Sequence, residues 1–308
     1  MKTGFIGAGK VGCSLGKYLC AHGVKVAGYY DRDTEAASDA AQFTKTTRYD
    51  AAETLAADCD VLFITVPDGL IRPVLLDLMK GCEVKEDDGG GTGEKTASRS
   101  ILEGKFLCHC SGSLSSREVF QGIEAAGAFG YSVHPLFAVS DRHETWRELD
   151  GAFFSLEGDP AHIDDMSAFL AKAGITFQII DPSSKTKYHL AAVYASNLIC
   201  GLIGEAGQLL QECGFGEEDA LRALTPLIAG NVEHALEVGP VRALTGPVER
   251  GDVTTLRKHL SVCESSEDAQ LYRLLSKKLV RLAKEKHPER DYTKLEAFLR
   301  DGDDANED

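Results

Sequence analysis

The residues Gly7-Ala8-Gly9-Lys10-Val11-Gly12 place three glycines at G-x-G-x-x-G spacing, directly after the apolar run from Lys2 to Ile6. Between a strand and a helix, that spacing suits a pyrophosphate. The first glycine makes the tight turn, the second lets the backbone approach the phosphates, and the third allows helix and strand to pack closely. The amides of the first helical turn, around Ala8, Lys10 and Val11, then face the ligand at the positive end of the helix dipole. Alone the motif is weak, and a Gly-rich turn without ligand is the bland alternative. A second apolar run ends at Asp31-Arg32, near the expected distance downstream. A carboxylate there accepts hydrogen bonds from a ribose diol and favours NAD, whereas an arginine meets a 2′-phosphate and favours NADP. The two neighbours pull in opposite directions, with Asp31 tipping the expectation toward NAD.

Three further runs end in polar or turn-forming residues: Val66-Pro67-Asp68, His109-Cys110-Ser111-Gly112-Ser113 and His134-Pro135-Leu136. Singly, each has a plain reading, since Pro67 and Gly112 can merely end strands and His109 can be a packed core histidine. Together, at successive strand ends, they outline one crevice beside the nicotinamide end of a dinucleotide. Downstream, Lys185-Thr186-Lys187-Tyr188-His189 leads to Ser196-Asn197. On one continuous helix His189 and Asn197 share a face. A histidine beside a carbonyl or imine carbon is suited to donate a proton near neutral pH. The expected roles are His189 as proton relay, Lys187 as its electrostatic partner, Asn197 and Ser111 as orienting groups, and His134 as a further cleft residue. The competing reading buries His189 and Asn197 at a helix–helix contact. Cys108-His109-Cys110 with His134 can be drawn as a metal site, but no second ligand pair follows at zinc spacing, so no metal is expected.

These residues need a scaffold, and the hydrophobic pattern supplies one. Strand-like runs at Lys2 to Ile6, Val24 to Tyr30, Asp60 to Val66, Phe106 to Ser111 and Gly130 to His134 alternate with helical stretches at Gly9 to His22, Thr34 to Gln42, Leu70 to Met79 and Ser115 to Ala126. Such alternation predicts an α/β fold with a doubly wound parallel sheet. Phe153 to Leu156 and Thr176 to Ile180 read as two more strands around a helix from Ala161 to Lys172. Beyond Pro182 only helical segments follow: a long one starting at Asp181-Pro182-Ser183-Ser184 that is apolar almost all round, then Glu217 to Glu237, Val253 to Cys263 and Glu267 to Lys286. The expected division is a dinucleotide-binding domain over 1–182, a helical domain over 183–300 and an acidic tail over 301–308. A glycine-rich stretch over 85–100 has nothing to bury and reads as a mobile surface insertion. Leu244-Thr245-Gly246-Pro247-Val248 is a Gly/Pro turn, either a plain connection or a loop closing over substrate. Gly201, Gly204 and Gly207 form a smooth stripe that another helix can approach.

Composition bounds the function classes. Of 308 residues, 43% are hydrophobic and 26% charged, enough apolar material for substantial cores. Lys and Arg total 33 against 48 Asp and Glu, a net charge of −15. That balance argues against a nucleic-acid or anionic-membrane partner, which needs a positive surface. The longest apolar stretch is interrupted by Asn197, Glu205 and Gln208, so no membrane span is expected. The first residues run straight into a strand without a signal-peptide pattern, and the nine cysteines are scattered, which together suggest a cytoplasmic protein with reduced thiols.

Taken in order, GAGKVG near the start, HCSG at 109–112, SVHPL at 132–136, KTKYHLAAVYASN from 185 and LTGPVERGD at 244–252 resemble a family of two-domain Rossmann proteins whose C-terminal domain has no assigned function. The resemblance covers most of the chain apart from the 85–100 stretch and the tail. The family is similar in design to pyrroline-5-carboxylate reductases, deazaflavin-dependent NADP reductases and the 6-phosphogluconate dehydrogenase group. The resemblance implies a Rossmann domain followed by an all-α dimerisation domain, an active site between them, and a homodimer formed through the helices. It carries Gly7, Gly9, Gly12 and Asp31/Arg32 over as cofactor contacts and Thr245-Gly246-Pro247 as a substrate-side loop. One departure matters: hydroxyacid dehydrogenases of the wider group pair a lysine with an asparagine four residues later. Here His189 follows Lys185 and Ala191 follows Lys187 at that distance. The expectation is therefore an NAD(P)-dependent oxidoreductase acting on a small carbonyl, imine or alcohol; the alternative is a dinucleotide-responsive binding or scaffold protein that catalyses nothing.

Overall fold

The computed structural model describes residues 1–84 and 99–300. Contacts divide the chain into two compact units, Met1–Leu198 and Ile199–Asp308. The first unit extends past Pro182 because the next helix is tied to the sheet: Lys185 donates to Ser132 and Tyr188 reaches His134.

Ten strands occur in the described residues: β1 (Lys2–Ile6), β2 (Lys25–Tyr30), β3 (Thr47–Arg48), β4 (Val61–Ile64), β5 (Glu83–Val84), β6 (Arg99–Ser100), β7 (Phe106–His109), β8 (Phe129–Pro135), β9 (Phe153–Gly158) and β10 (Thr176–Ile179). Eight form one sheet in the order β10-β9-β8-β7-β4-β1-β2-β3, while β5 and β6 make a separate antiparallel pair. The other part of the glycine-rich stretch, 85–98, lies outside the described residues, as does the acidic tail. The helices of this unit are α1 (Lys10–Ala21), α2 (Thr34–Thr44), α3 (Ala52–Ala57), α4 (Asp68–Gly81), the single turn α5 (Ser116–Val119), α6 (Ile163–Lys172) and α7 (Lys185–Ala195).

Strands β1, β4 and β7 are apolar because both sheet faces are covered. Alternation along them feeds two separate cores. Phe5, Phe63 and Cys108 join Tyr18 and Tyr29 on one face, whereas Ile6, Leu62, Ile64 and Leu107 join Leu75 and Leu78 on the other. Phe5 stacks on Tyr29 and Phe63 with ring centroids 5.3 Å away in both cases. Because β1, β4, β7 and β8 pair in parallel, their carboxyl ends share one edge of the sheet. The doubly wound sheet is as expected, with one departure from all-parallel pairing: β9 runs antiparallel to β8, and β10 parallel to β9, so the sheet is mixed. Between β8 and β9 the chain straps back over the glycine turn. Arg142 donates to the carbonyl oxygens of Ala8 and Ala36, and Ser14 donates to the carbonyls of Asp141 and Arg142.

The second unit is helical: α8 (Asn197–Glu212, starting at the junction), α9 (Glu217–Val238), α10 (Pro240–Ala243), α11 (Pro247–Arg250), α12 (Val253–Leu260), α13 (Ser266–Lys286) and α14 (Thr293–Arg300). Its core holds Val248, Leu256, Val280, Ala283, Tyr292, Leu295 and Leu299. Tyr292 donates to the Glu249 carbonyl, and Arg290 and His287 pair with the Glu249 carboxylate. Helices α8 and α9 bury little within this unit, and Leu202, Leu209, Leu221, Leu227 and Leu236 are exposed. The helical run Pro182–Glu212 is long and apolar enough to cross a membrane by length and composition alone. The run is divided at Ser196, where α7 ends and α8 begins.

Candidate functional site

The turn after β1 places each motif glycine differently. Gly7 has φ +103°, open to glycine at little cost, and its carbonyl accepts from Thr65 Oγ1 at 2.8 Å. A methyl group on Gly12 would stand 2.3 Å from the Gly7 carbonyl oxygen and 2.4 Å from Thr65 Oγ1, so α1 sits hard against the strand ends. A methyl group on Gly9 would meet nothing within 4 Å. Gly9 is also the N-cap of α1 with no side-chain cap, so the first-turn amides are left without intrahelical partners. Lys10 is exposed, Val11 half-buried and Ala8 buried.

A pocket of about 290 Å³ opens beside this turn. Its walls are Gly7, Gly9, Tyr30, Asp31 and Arg32 on one side and Thr65, Val66, Pro67, Leu70 and Val74 on the other. The Asp31 carboxylate is already engaged: it accepts from Ala8 N–H at 2.7 Å and from Asp33 N–H at 3.0 Å. Arg32 is exposed and has no partner among the described residues.

Further along the same sheet edge lies a second polar group. Asp68, at the start of α4, accepts from Ser111 Oγ at 2.7 Å and Ser113 Oγ at 2.9 Å, joining the ends of β4 and β7. Gly112 is bare for a steric reason: a methyl there would lie 2.8 Å from His134 Nε2 and 2.8 Å from His189 Cδ2. The two imidazoles therefore converge on the HCSG turn. His134 Nδ1 lies 2.9 Å from the Tyr188 hydroxyl. Burial, reinforced by the nearby Lys185 ammonium, pushes the His134 imidazole down to about 3. His109 is fully buried, its Nδ1 accepts from Ser111 N–H, and burial pushes it to about 3 as well. It fits the plain reading of a packed histidine.

Two expected residues lie elsewhere. Helix α7 breaks at Ser196 (φ −133°, ψ −82°), so His189 and Asn197 do not share one continuous helix. Asn197 is exposed, its Oδ1 accepting from Ser196 Oγ. Lys187 is exposed too, and the lysine that enters the polar group is Lys185. Lys185 is 1% exposed, donates to Ser132 Oγ at 2.6 Å, and burial lowers its ammonium to about 8. Glu157, also buried, accepts from Ser116 N–H and Oγ; burial raises its carboxyl above the usual range. Sequence reasoning missed Lys185, Tyr188 and Glu157. For Lys185 and Tyr188 the signal available was the helix phase, since residues two apart point about 200° away from each other, whereas Glu157 on β9 carried none.

Thr245, Gly246 and Pro247 lie in the second unit, where Gly246 has φ +102° and Pro247 opens α11. Among the described residues no group of three His, Cys, Asp or Glu side chains is placed to hold a metal ion.

Comparison with known proteins follows the same division. Residues 2–83 match the model of the coenzyme F420-dependent NADP oxidoreductases, and residues 152–279 match a domain of unknown function, DUF2520. No curated protein matches the chain. Among solved structures, a Thermotoga maritima protein is 24% identical with a TM-score of 0.66, covering 92% of this chain and 99% of its own. An imine reductase from Myxococcus stipitatus in complex with NADP⁺ is 18% identical with a TM-score of 0.57, over 97% of this chain and 100% of its own. The NADP-bound pyrroline carboxylate reductase of Plasmodium falciparum is 14% identical with a TM-score of 0.54, over 98% and 97%. The fold is the one shared by these proteins, and the chain carries one segment that matches the NADP oxidoreductase model and a later one that matches DUF2520.

Proposed function

We propose that the protein is an NAD(P)-dependent oxidoreductase that moves a hydride to or from a small carbonyl, imine or alcohol. The observation that carries this reading is the continuity of one sheet edge. An uncapped glycine turn with open space at Gly9 and a pocket ending at Asp31-Arg32 adjoins, through Val66-Pro67-Asp68, a half-buried group containing Ser111, His134 and His189. The oxidoreductase match over residues 2–83 supports it.

Gly7, Ala8, Gly9, Lys10, Val11 and Gly12 are the diphosphate-binding turn. Asp31 and Arg32 face the adenosine ribose, and Val66, Pro67, Asp68, Ser111 and Gly112 flank the reactive end. The bound cofactor supplies the hydride. The chain's own contribution is orientation and proton transfer: His189 holds the exchangeable proton beside the HCSG turn, and Ser111, fixed by Asp68, orients the substrate. In this reading NADP is the preferred cofactor; what supports it is that the Asp31 carboxylate accepts from two backbone N–H groups while Arg32 is left to meet a phosphate. Thr245-Gly246-Pro247 is the candidate substrate-side loop, and a homodimer through the exposed faces of α8 and α9 is the proposed assembly. The net charge of −15 supports small-molecule chemistry in place of nucleic-acid binding.

The test is NADPH oxidation, followed by absorbance, across a panel of cyclic imines, ketones and aldehydes. The reading expects turnover that falls about a hundredfold or more in His189→Ala. Turnover equal to wild type in that variant removes His189 from its role, and no turnover across the panel in a protein that binds NADPH favours a non-catalytic dinucleotide binder.

A further inference from the structure

The arrangement around Gly112 contains two histidines, and their surroundings differ in kind. We propose that His134 is an uncharged hydrogen-bond donor, presenting Nε2–H to the substrate's oxygen or nitrogen, and that Tyr188 is the positioning residue that fixes this tautomer. The inference rests on the oxidoreductase reading and adds a division of labour within the site.

The geometry starts from the other ring nitrogen. His134 Nδ1 and the Tyr188 hydroxyl are 2.9 Å apart, with the rings at 89° and centroids 5.6 Å apart. A tyrosine O–H donates unless it is ionised, and burial raises the Tyr188 phenol further above its ordinary range. Ser155 Oγ, the buried hydroxyl beside it, makes no other hydrogen bond and acts on the Tyr188 oxygen as a donor, an arrangement in which Tyr188 keeps its own O–H for His134 Nδ1. Nδ1 therefore accepts, and the ring's single proton resides on Nε2. Nε2 is the atom that approaches the bare face of Gly112, close to His189.

The charged and titratable groups facing His134 come from three elements. Lys185, Tyr188 and His189 lie on α7, Asp68 opens α4, and His109 ends β7. The Lys185 ammonium sits on Ser132 Oγ and 5.4 Å from the Tyr188 ring centroid, behind the pair. A second positive charge on His134 would be buried against it. Burial and that ammonium together hold His134 uncharged at neutral pH. An uncharged imidazole cannot be the proton source in a reduction, but it can donate a hydrogen bond without reorganising.

Hydride delivery forms a C–H bond at the carbon of C=O or C=N, and the π pair moves to the oxygen or nitrogen. Nε2–H of His134 stabilises that developing charge, as a preorganised donor does in a dry site. The proton that completes the alcohol or amine comes from His189.

The test uses the full chain labelled with ¹⁵N-histidine. Two-bond ¹H–¹⁵N spectra from about pH 5 to about pH 8.5 report tautomer and charge directly. The expected spectrum has His134 as one Nε2–H tautomer that does not titrate, and Tyr188→Phe gives a tautomer mixture while NADPH affinity is unchanged. An Nδ1–H tautomer, or a His134 that protonates near its ordinary value of about 6.5, overturns the proposal. Adding 2-methyl-1-pyrroline to the NADP⁺ complex should shift the Nε2–H signal, and an unmoved signal overturns the donor role. With that imine, His134→Asn should lower kcat about a hundredfold with little change in the KM for NADPH, and wild-type kcat contradicts it. Failure to bind NADPH sinks the oxidoreductase reading itself, whereas binding with the wrong tautomer sinks only this inference.

Discussion

Arg32 and His134 are single side chains on which separate measurements turn. If the free Arg32 guanidinium meets a 2′-phosphate, Arg32→Ala should weaken NADPH binding about tenfold and leave NADH nearly unaffected, as isothermal titration will show. Equal losses for both cofactors would place the arginine elsewhere. The two depressed imidazoles have a consequence for stability. Folded His109 and His134 take up a proton only near 3, whereas the unfolded chain does so near 6.5. Between those values the unfolded state binds more protons, so stability rises with pH and is lost progressively as pH falls below about 6.5. Melting temperature should therefore drop between pH 7 and pH 5, and a flat profile would show both rings solvated. The glycine turn was legible in the sequence because its spacing encodes backbone geometry. The choice between Lys185 and Lys187 was not, since identical side chains two positions apart differ only in the phase of a helix whose docking is set by tertiary contacts.

At the scale of elements, the seat of α1 decides whether the turn is open. Gly12→Ala forces a methyl onto the Gly7 carbonyl and Thr65, both backbone-anchored, and should cost about 1–3 kcal/mol in chemical denaturation. A cost near zero would mean α1 can slide away from β4. The buried parallel strands could be read from their apolar runs, because covering both sheet faces leaves short continuous apolar stretches bounded by turn residues. The antiparallel entry of β9 could not, as nothing in Phe153 to Leu156 specifies a direction. Helices α3 and α14 are short, at 6 and 8 residues, and carry too few turns to stand out by periodicity. The break at Ser196 was hidden for the opposite reason, since the apolar pattern continues through it and only the local φ/ψ records the change.

For the molecule as a whole, the second unit carries apolar surface that a lone chain does not cover. Leu227 is 61% and Leu236 83% exposed on α9, alongside Leu202 and Leu209 on α8. Contiguous apolar faces of this kind are disfavoured in water. If a second copy covers them, light scattering will give the mass of a dimer, and Leu227→Glu with Leu236→Glu will give a folded monomer; a monomeric wild type would contradict the assembly. The acidic balance was legible from counting alone, but where it acts was not, because five acids lie in the tail 301–308, outside the described residues. The most direct measurement of the central claim is a fluorescence titration of NADPH and NADH against wild type and Gly9→Val. The space around Gly9 admits the valine without disturbing the fold, so its melting temperature should match wild type. The account predicts dinucleotide binding in the wild type that weakens by a factor of ten or more in the variant, about 1.4 kcal/mol or above. Equal binding by both proteins, or by neither, would contradict a diphosphate site at this turn.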